Sequence, residues 1–103
     1  MASYFNIIGS TLSTVELKEP EARLIINSIL ITNVHDTADA TVTLFIQDDP
    51  ESGTTRTFNI IHTIAVPADS SLYLDDSNMF NFEDEFGLYV TVGSSDTVDI
   101  IIN

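Results

Sequence analysis

The chain contains no cysteine and no tryptophan, and it has only three basic residues, Lys18, Arg23 and Arg56. The lack of cysteine excludes disulfides, thiolate metal sites and cysteine nucleophiles. Binding to a phosphate backbone needs clustered Lys and Arg, so three isolated cations argue against nucleic acid and anionic membrane as partners. No apolar run reaches the roughly 18 residues of a membrane-spanning helix. The start, "MASYFNII", lacks a basic region and a long apolar region, so no secretory signal is expected.

Acidic residues are abundant by contrast. Sixteen Asp and Glu give a formal net charge of −13 over 103 residues. A chain of this length is the usual size of one domain, so residues 1–103 are predicted to form a single domain. High net charge of one sign keeps such a domain soluble.

Apolar residues recur mostly at every second position, in short runs separated by Gly, Pro, Asn, Asp and Ser. This period is typical of β-strands. The pattern predicts an all-β protein, a single-domain antiparallel β-sandwich of seven to eight strands. Jelly-roll and immunoglobulin-like connectivities both fit, because alternation does not fix strand order. Residues 1–22 are predicted to form an N-terminal arm or edge hairpin. Its strand pattern is interrupted at "KEPEA", because Pro20 cannot donate to a ladder.

Strand positions follow from the same alternation. The run Arg23–Thr32, "RLIINSILIT", is apolar on both faces and predicts a central strand covered on both sides, by the core on one face and by a partner as a candidate cover for the other. The segments Ala2–Ile8 and Val98–Ile102 are predicted to be edge strands. In the polar crossing "DDSNMFNFEDE", the apolar residues are expected to plug an open end of the core; they are Met79, Phe80 and Phe82.

Acidic clusters are the features that most resemble chemistry. The segment Asp48-Asp49-Pro50-Glu51 has the atoms of a calcium site without the spacing of a calcium loop. Pro50 and Gly53 are instead what a hairpin connection requires, so a polar turn is predicted. The same interpretation covers Asp75-Asp76 and Glu83-Asp84-Glu85, with the alternative that two clusters meet at one end and bind a divalent ion. No metal site and no cofactor are therefore predicted.

The two histidines do not form a catalytic pattern. His35 precedes Asp36 and is predicted to cap a turn, and His62 lies within an apolar strand. The chain has no G-x-S-x-G motif, and carboxylate pairs without a deep cleft or an aromatic platform do not favour glycoside hydrolysis. The sequence thus predicts no catalytic residues and no enzyme activity.

Aromatic and apolar side chains near strand edges are the remaining candidates. On an outward face they form a patch that marks a contact surface, whereas cross-strand packing within the sheet explains them equally well. The predicted interaction residues are Tyr4, Phe5, Ile7, Phe45, Tyr73 and Tyr89.

Three stretches, "ILITNVHDTADATVTLFIQD", "HTIAVPADSSLYLDD" and "FNFEDEFGLYVTV", together resemble a small all-β family of tailed-phage virion proteins. The matching positions are 31–44, 66–74 and 82–92. The family pattern has a strand ending in an "sNvd" loop, then a "VPA" turn and strand, then an acidic turn before the penultimate strand. This chain departs from it at "EDEFG", where the family more often has an acidic-Gly-Asp turn.

The resemblance implies a non-enzymatic virion structural protein. The first expectation is a capsid decoration or cement protein that binds the major capsid protein of the outer shell, assembled into the virion in the host cytoplasm. A homo-oligomer is expected, with a trimer at local symmetry axes as one arrangement. The alternatives are a tail or head-tail structural subunit and, from another class, a calcium-dependent carbohydrate-binding module.

Overall fold

The computed structural model describes residues 2–48 and 53–103. These residues form eight strands and one 3₁₀ helix. The elements are β1 Ser3–Ile8, β2 Thr14–Lys18, β3 Ile29–Asn33, β4 Ala40–Gln47, β5 Thr57–Val66, β6 Ser71–Leu74, the 3₁₀ helix Ser77–Phe80, β7 Gly87–Val92 and β8 Thr97–Ile102.

The strands form two four-stranded antiparallel sheets. Sheet 1 has the order β1-β8-β3-β6, and sheet 2 has the order β2-β7-β4-β5. The prediction of an all-β antiparallel sandwich is confirmed. Consecutive strands lie in different sheets except for β4 and β5, which are neighbours in sheet 2. This strand order is that of a jelly roll, so the connectivity left open by the sequence is now defined.

The N-terminal region does not form a hairpin. β1 pairs with β8 in sheet 1, whereas β2 pairs with β7 in sheet 2. Each of the first two strands is therefore the edge of a different sheet. The prediction that Ala2–Ile8 is an edge is confirmed, but the prediction that Val98–Ile102 is an edge is wrong, because β8 lies between β1 and β3.

The core lies between the two sheets and consists almost entirely of aliphatic side chains. On β8, Val98, Ile100 and Ile102 are buried, while Asp99 and Ile101 alternate outward. β7 contributes Leu88, Val90 and Val92 in the same way from sheet 2. With no disulfide in the chain, burial of these side chains is the main source of stability.

The strand predicted over Arg23–Thr32 is shorter than expected. β3 begins only at Ile29, and residues 22–26 are irregular, with Ile25 72% exposed and Ile26 buried. The chain must cross here from sheet 2 to sheet 1, and a crossing segment cannot keep strand alternation. Strand β3 itself is central, as predicted, between β8 and β6.

The predicted plugs occupy the crossing between β6 and β7. Phe80 is buried in the 3₁₀ helix, and Met79 and Phe82 pack against the core. Asp76 caps this helix by accepting a hydrogen bond from the Asn78 backbone N–H. Within the described part of the chain, the structure contains no helix that is long and apolar enough to cross a membrane.

Candidate functional site

The outer face of sheet 1 carries a row of apolar side chains that crosses all four strands. In the strand register, Tyr4 lies opposite Ile101, Ile101 opposite Leu30, and Leu30 opposite Tyr73. We call these four residues the Tyr4–Tyr73 row. Tyr4 is 73% exposed and Tyr73 is 57% exposed. Four strands at the usual inter-strand spacing make the row about 14 Å wide.

The row beside it is polar and internally paired. It consists of Asn6, Asp99, Thr32 and Ser71 in register. Asn6 Nδ2 donates to Asp99 Oδ1 at 2.6 Å, and the hydroxyls of Thr32 and Ser71 are 2.8 Å apart. Asp99 is therefore the single charged residue in these two rows, and its carboxylate already has a partner.

The other predicted interaction residues do not join this face. Phe45 and Tyr89 lie on the outer face of sheet 2, where their rings stack at 5.4 Å between centroids and 18° between planes. Phe5 packs against the core, and Ile7 is 2% exposed and belongs to it. Tyr4 and Tyr73 are thus the two predicted residues that lie on the outer face of sheet 1, and Ile7 lies in the core rather than on a contact surface.

Asp48, the first residue of the acidic segment after β4, is part of an ion pair. Its side chain is almost fully buried. Its Oδ1 accepts from the Arg56 backbone N–H at 2.8 Å, and its Oδ2 accepts from Arg56 Nε at 2.8 Å and from Nη2. Asp48 directly follows β4 and Arg56 directly precedes β5, so this pair joins the ends of the two strands. A structural role for Asp48 agrees with the interpretation of this segment as a turn. The rest of the segment, Asp49-Pro50-Glu51, lies outside the described residues.

Arg56 lowers the pKa of Asp48 below its ordinary value of 3.8. The hydrogen bond from the Arg56 backbone N–H has the largest effect on this pKa, and the hydrogen bond from the Arg56 side chain comes second. Nearby, the pKa of Glu85 is raised, mainly by a hydrogen bond with Glu83 and by burial. The Asp48 contribution to stability is complete above about pH 4 and is lost as the pH falls through the lowered pKa. The Glu85 contribution has the opposite sign, present in acid and lost as the pH rises through the raised pKa.

We therefore expect Asp48→Asn to lower the melting temperature at about pH 7 and to flatten the loss of stability below about pH 4, because the amide does not titrate. Thermal melts followed by circular dichroism across this range measure both effects. Asp75→Asn is the matched control, since it removes an exposed carboxyl and leaves the Asp48–Arg56 pair and its acidic neighbours in place. Melting curves of wild type and Asp48→Asn that run parallel across the acid range would contradict the assignment.

The loop before β7 is held by two of the three basic residues. Lys18 is buried, and its Nζ donates to the carbonyl oxygens of Glu19 at 3.2 Å, Asp84 at 3.0 Å and Phe86 at 2.7 Å. Desolvation lowers the pKa of Lys18, against the opposing effect of Asp84. From the other side, Arg56 lies over the ring of Phe86, 5.4 Å from its centroid. The acidic loop is therefore fixed by two cations, one of which uses backbone oxygens.

The histidines hold loops or lie at an edge. His35 Nδ1 accepts hydrogen bonds from the backbone N–H groups of Thr37 and Ala38, each at 3.1 Å, which confirms the turn-capping prediction. Buried Asn33 fixes the same loop, donating to the carbonyls of Ala38 and Val66. His62 is exposed on edge strand β5. Across residues 2–48 and 53–103, no three His, Asp or Glu side chains are grouped so that they could hold a metal ion.

A shallow cleft of about 530 Å³ lies between the irregular segment before β3 and the 3₁₀ helix. Arg23, Asn27, Asn78, Asn81 and Asp84 are among its polar lining residues. Leu24 and Ile25 form an apolar part of the lining. The cleft offers amide and guanidinium groups to a polar ligand.

Sequence reasoning missed the structural role of both engaged cations. Arg56 lies eight residues after Asp48 across the predicted turn, and an oppositely charged pair flanking a hairpin connection is a usable signal for an ion pair. Lys18 carries a weaker signal, since it is a single lysine at the end of an apolar strand. Leu30 and Ile101 are not among the predicted interaction residues, because each lies in an unbroken apolar run, which does not reveal which side faces the core.

Comparison with known protein families finds no family model that matches this chain, and comparison with curated proteins finds no significant sequence match.

Proposed function

We propose that the protein is a non-enzymatic structural protein of a phage virion, a decoration protein that binds the outer capsid shell through the outer face of sheet 1. The single observation that carries the proposal is the Tyr4–Tyr73 row. Interface centres are enriched in aromatic residues and poor in charge. A row of two tyrosines, an isoleucine and a leucine across a whole sheet has this composition, and the flanking Asp99 is bonded to Asn6.

The distribution of charge supports the same proposal. Among the described residues, the eight strands contain only two carboxylates, Glu16 and Asp99. The other described carboxylates lie on the connections, including Asp75 and Asp76 after β6. A molecule with net charge −13 thus keeps its sheet faces nearly uncharged, so that one face docks while the connections keep it soluble.

The fold is compatible with this role without specifying it. Jelly rolls occur in viral capsid domains and also in lectins and cupins, so the architecture alone does not distinguish these functions. The sequence resemblance to small phage virion proteins favours the first. Under this proposal the partner is the major capsid protein, and the protein acts in the assembled particle.

Co-sedimentation with phage heads that lack the protein tests the proposal. We expect wild type to bind, and Leu30→Ser combined with Tyr73→Ser to weaken binding by about tenfold or more, because interface energy concentrates in a few buried apolar anchors. The matched control is Phe45→Ser with Tyr89→Ser on the outer face of sheet 2, which should bind like wild type. The proposal would be overturned if the sheet 2 variant lost binding while the sheet 1 variant kept it, or if wild type did not bind to heads.

Labelling of intact particles separates the two virion alternatives. Gold-labelled antibody on heads supports a decoration protein, and label confined to tails supports a tail or head-tail subunit. For the carbohydrate-binding alternative, Arg23 and the amide side chains of the cleft are the relevant groups. A rise in melting temperature with calcium and a sugar, reversed by a chelator, would favour that alternative over the virion proposal.

A further inference from the structure

Three of the four edge strands are protected against pairing with another chain. β2 has a register irregularity between Glu16 and Lys18 and is followed by Pro20. β5 has two register irregularities against β4, and Thr63 within it has a φ of 55°. β6 is only four residues long and leads directly into Asp75 and Asp76. Bulges, short length and charge are the devices by which natural sheets protect their edges.

The fourth edge, β1, has none of these devices. All six of its residues pair with β8 in one uninterrupted register. It contains no proline, and residues 2–15 include no Asp, Glu, Lys, Arg or His. In a chain of net charge −13, this is an uncharged and regular edge. Such an edge is a template for another strand.

The backbone groups that β1 offers can be identified. Gly9 N–H donates to the Asp96 carbonyl at 2.8 Å, in continuation of the register that sets Ile8 opposite Thr97. Hydrogen-bonded and non-hydrogen-bonded pairs alternate along an antiparallel ladder. The backbone groups of the odd-numbered residues of β1 therefore form hydrogen bonds with β8. The N–H and C=O groups of Tyr4 and Asn6 point away from β8 to the free edge.

We propose that a second copy of this chain pairs with that edge, β1 against β1, around a two-fold axis at Asn6. Directly opposite residues of an antiparallel pair point to the same face of the sheet. The outward residues of β1 have even numbers, so an even-numbered residue of one copy must lie opposite an even-numbered residue of the other. With Asn6 on the axis, Tyr4 lies opposite Ile8 of the second copy. Tyr4 is 73% exposed and Ile8 is 45% exposed, and aromatic with β-branched is a favourable cross-strand pair.

This register makes the edge complementary to itself, which is why a second copy is the occupant. It gives one continuous eight-stranded sheet and places both Tyr4–Tyr73 rows on the same face. Two rows on one rigid face would provide two contact sites for one partner surface. The dimer itself does not depend on the proposed function, because it is measured in solution without particles.

The dimer is expected to be weak and dependent on salt. Six residues of strand and a molecular thickness of 19 Å give about 400 Å² of contact per copy, half of the roughly 800 Å² of a standard interface. Two copies of net charge −13 also repel each other until salt screens them. Raising either the protein concentration or the ionic strength should therefore increase the dimer fraction.

Disulfide cross-linking of an introduced cysteine tests the register. The described residues contain no cysteine, so none of them can form a competing disulfide. In Asn6→Cys the paired Cα atoms should lie about 5.5 Å apart, within disulfide range. In the control Tyr4→Cys the two cysteines lie four residues apart along the strands, about 13 Å, and cannot bond. Under mild oxidation we expect most of the Asn6→Cys protein to become a covalent dimer, and little of the control. Equal cross-linking of both variants would overturn the proposal.

Analytical ultracentrifugation over a concentration series tests the pairing without cysteine. Asn6→Pro removes an N–H that points to the free edge, so it should give a monomer at every concentration while melting close to Asn6→Ala. Ile8→Lys places a charge on the same edge and should also give a monomer, which covers the case that Asn6→Pro fails to fold. A wild type that stays monomeric at high concentration and high salt, or that forms a closed trimer, would contradict the proposal.

Discussion

Replacement of Ile100 by alanine is expected to lower the free energy of unfolding by about 3–4 kcal/mol. Ile100 is fully buried at the centre of sheet 1, opposite Phe5 on β1 and Ile31 on β3. Truncation removes apolar burial and leaves a cavity among neighbours that are themselves fixed in strands, so the site cannot easily collapse. Chemical denaturation measures the change directly, and the melting temperature should fall by at least about 12 °C for a domain of this size.

The adjacent residue provides the control for this prediction. Ile101→Ala makes the same chemical change on the same strand, but Ile101 lies on the outer face and is only half-buried. Its stability cost should stay below about 1.5 kcal/mol, because little of its surface is removed from water within the monomer. Equal losses for the two variants would mean that the inner and outer faces of β8 are wrongly assigned.

Replacement of Lys18 by methionine is expected to cost about 2–3 kcal/mol. Methionine keeps a side chain of similar length but removes the ammonium group that binds three carbonyl oxygens, those of Glu19, Asp84 and Phe86. Carbonyl groups in a buried setting that lose their donor bear the desolvation penalty. The loss should be largest locally, so hydrogen exchange should accelerate in the loop before β7 more than in β8.

Arg23→Met separates this local effect from a change in net charge. Both variants lower the positive charge by one, but Arg23 is exposed in the irregular segment before β3. Surface substitutions of this kind usually change stability by less than about 0.5 kcal/mol. Equal destabilisation of the two variants would mean that electrostatic repulsion in the whole chain is the cause. It would contradict the assignment of the effect to the contacts of Lys18.

Much of the fold was predictable because local side-chain alternation reports burial directly. The predicted strand at Ala2–Ile8 agrees with β1 of the structure, and the predicted apolar plugs lie between β6 and β7. The extended strand predicted from Arg23 was wrong because the apolar residues there serve a crossing between sheets. A buried Ile26 at the end of the sandwich and a buried Ile29 within a strand look the same in sequence.

Strand order was not predictable, since alternation says which face of a strand is buried but not which strand lies beside it. This limits prediction of the candidate site more than of the fold. Tyr4 and Tyr73 were identified separately as candidates, yet they share a surface only because β1, β8, β3 and β6 are neighbours in that order. Phe45 and Tyr89 were equally good candidates by composition and lie on the opposite sheet.

The place of β8 in the sheet has a consequence for biosynthesis. Both β1 and β3 take β8 as a neighbour, and Ser3 pairs with Ile102, almost the full length of the chain away. Pairings between residues so distant in sequence form slowly, and here they require β8 to be translated before β1 finds its neighbour. Sheet 1 should therefore complete only after β8 has emerged from the ribosome, and until then the uncharged strand β1 is exposed to chaperones and to neighbouring nascent chains.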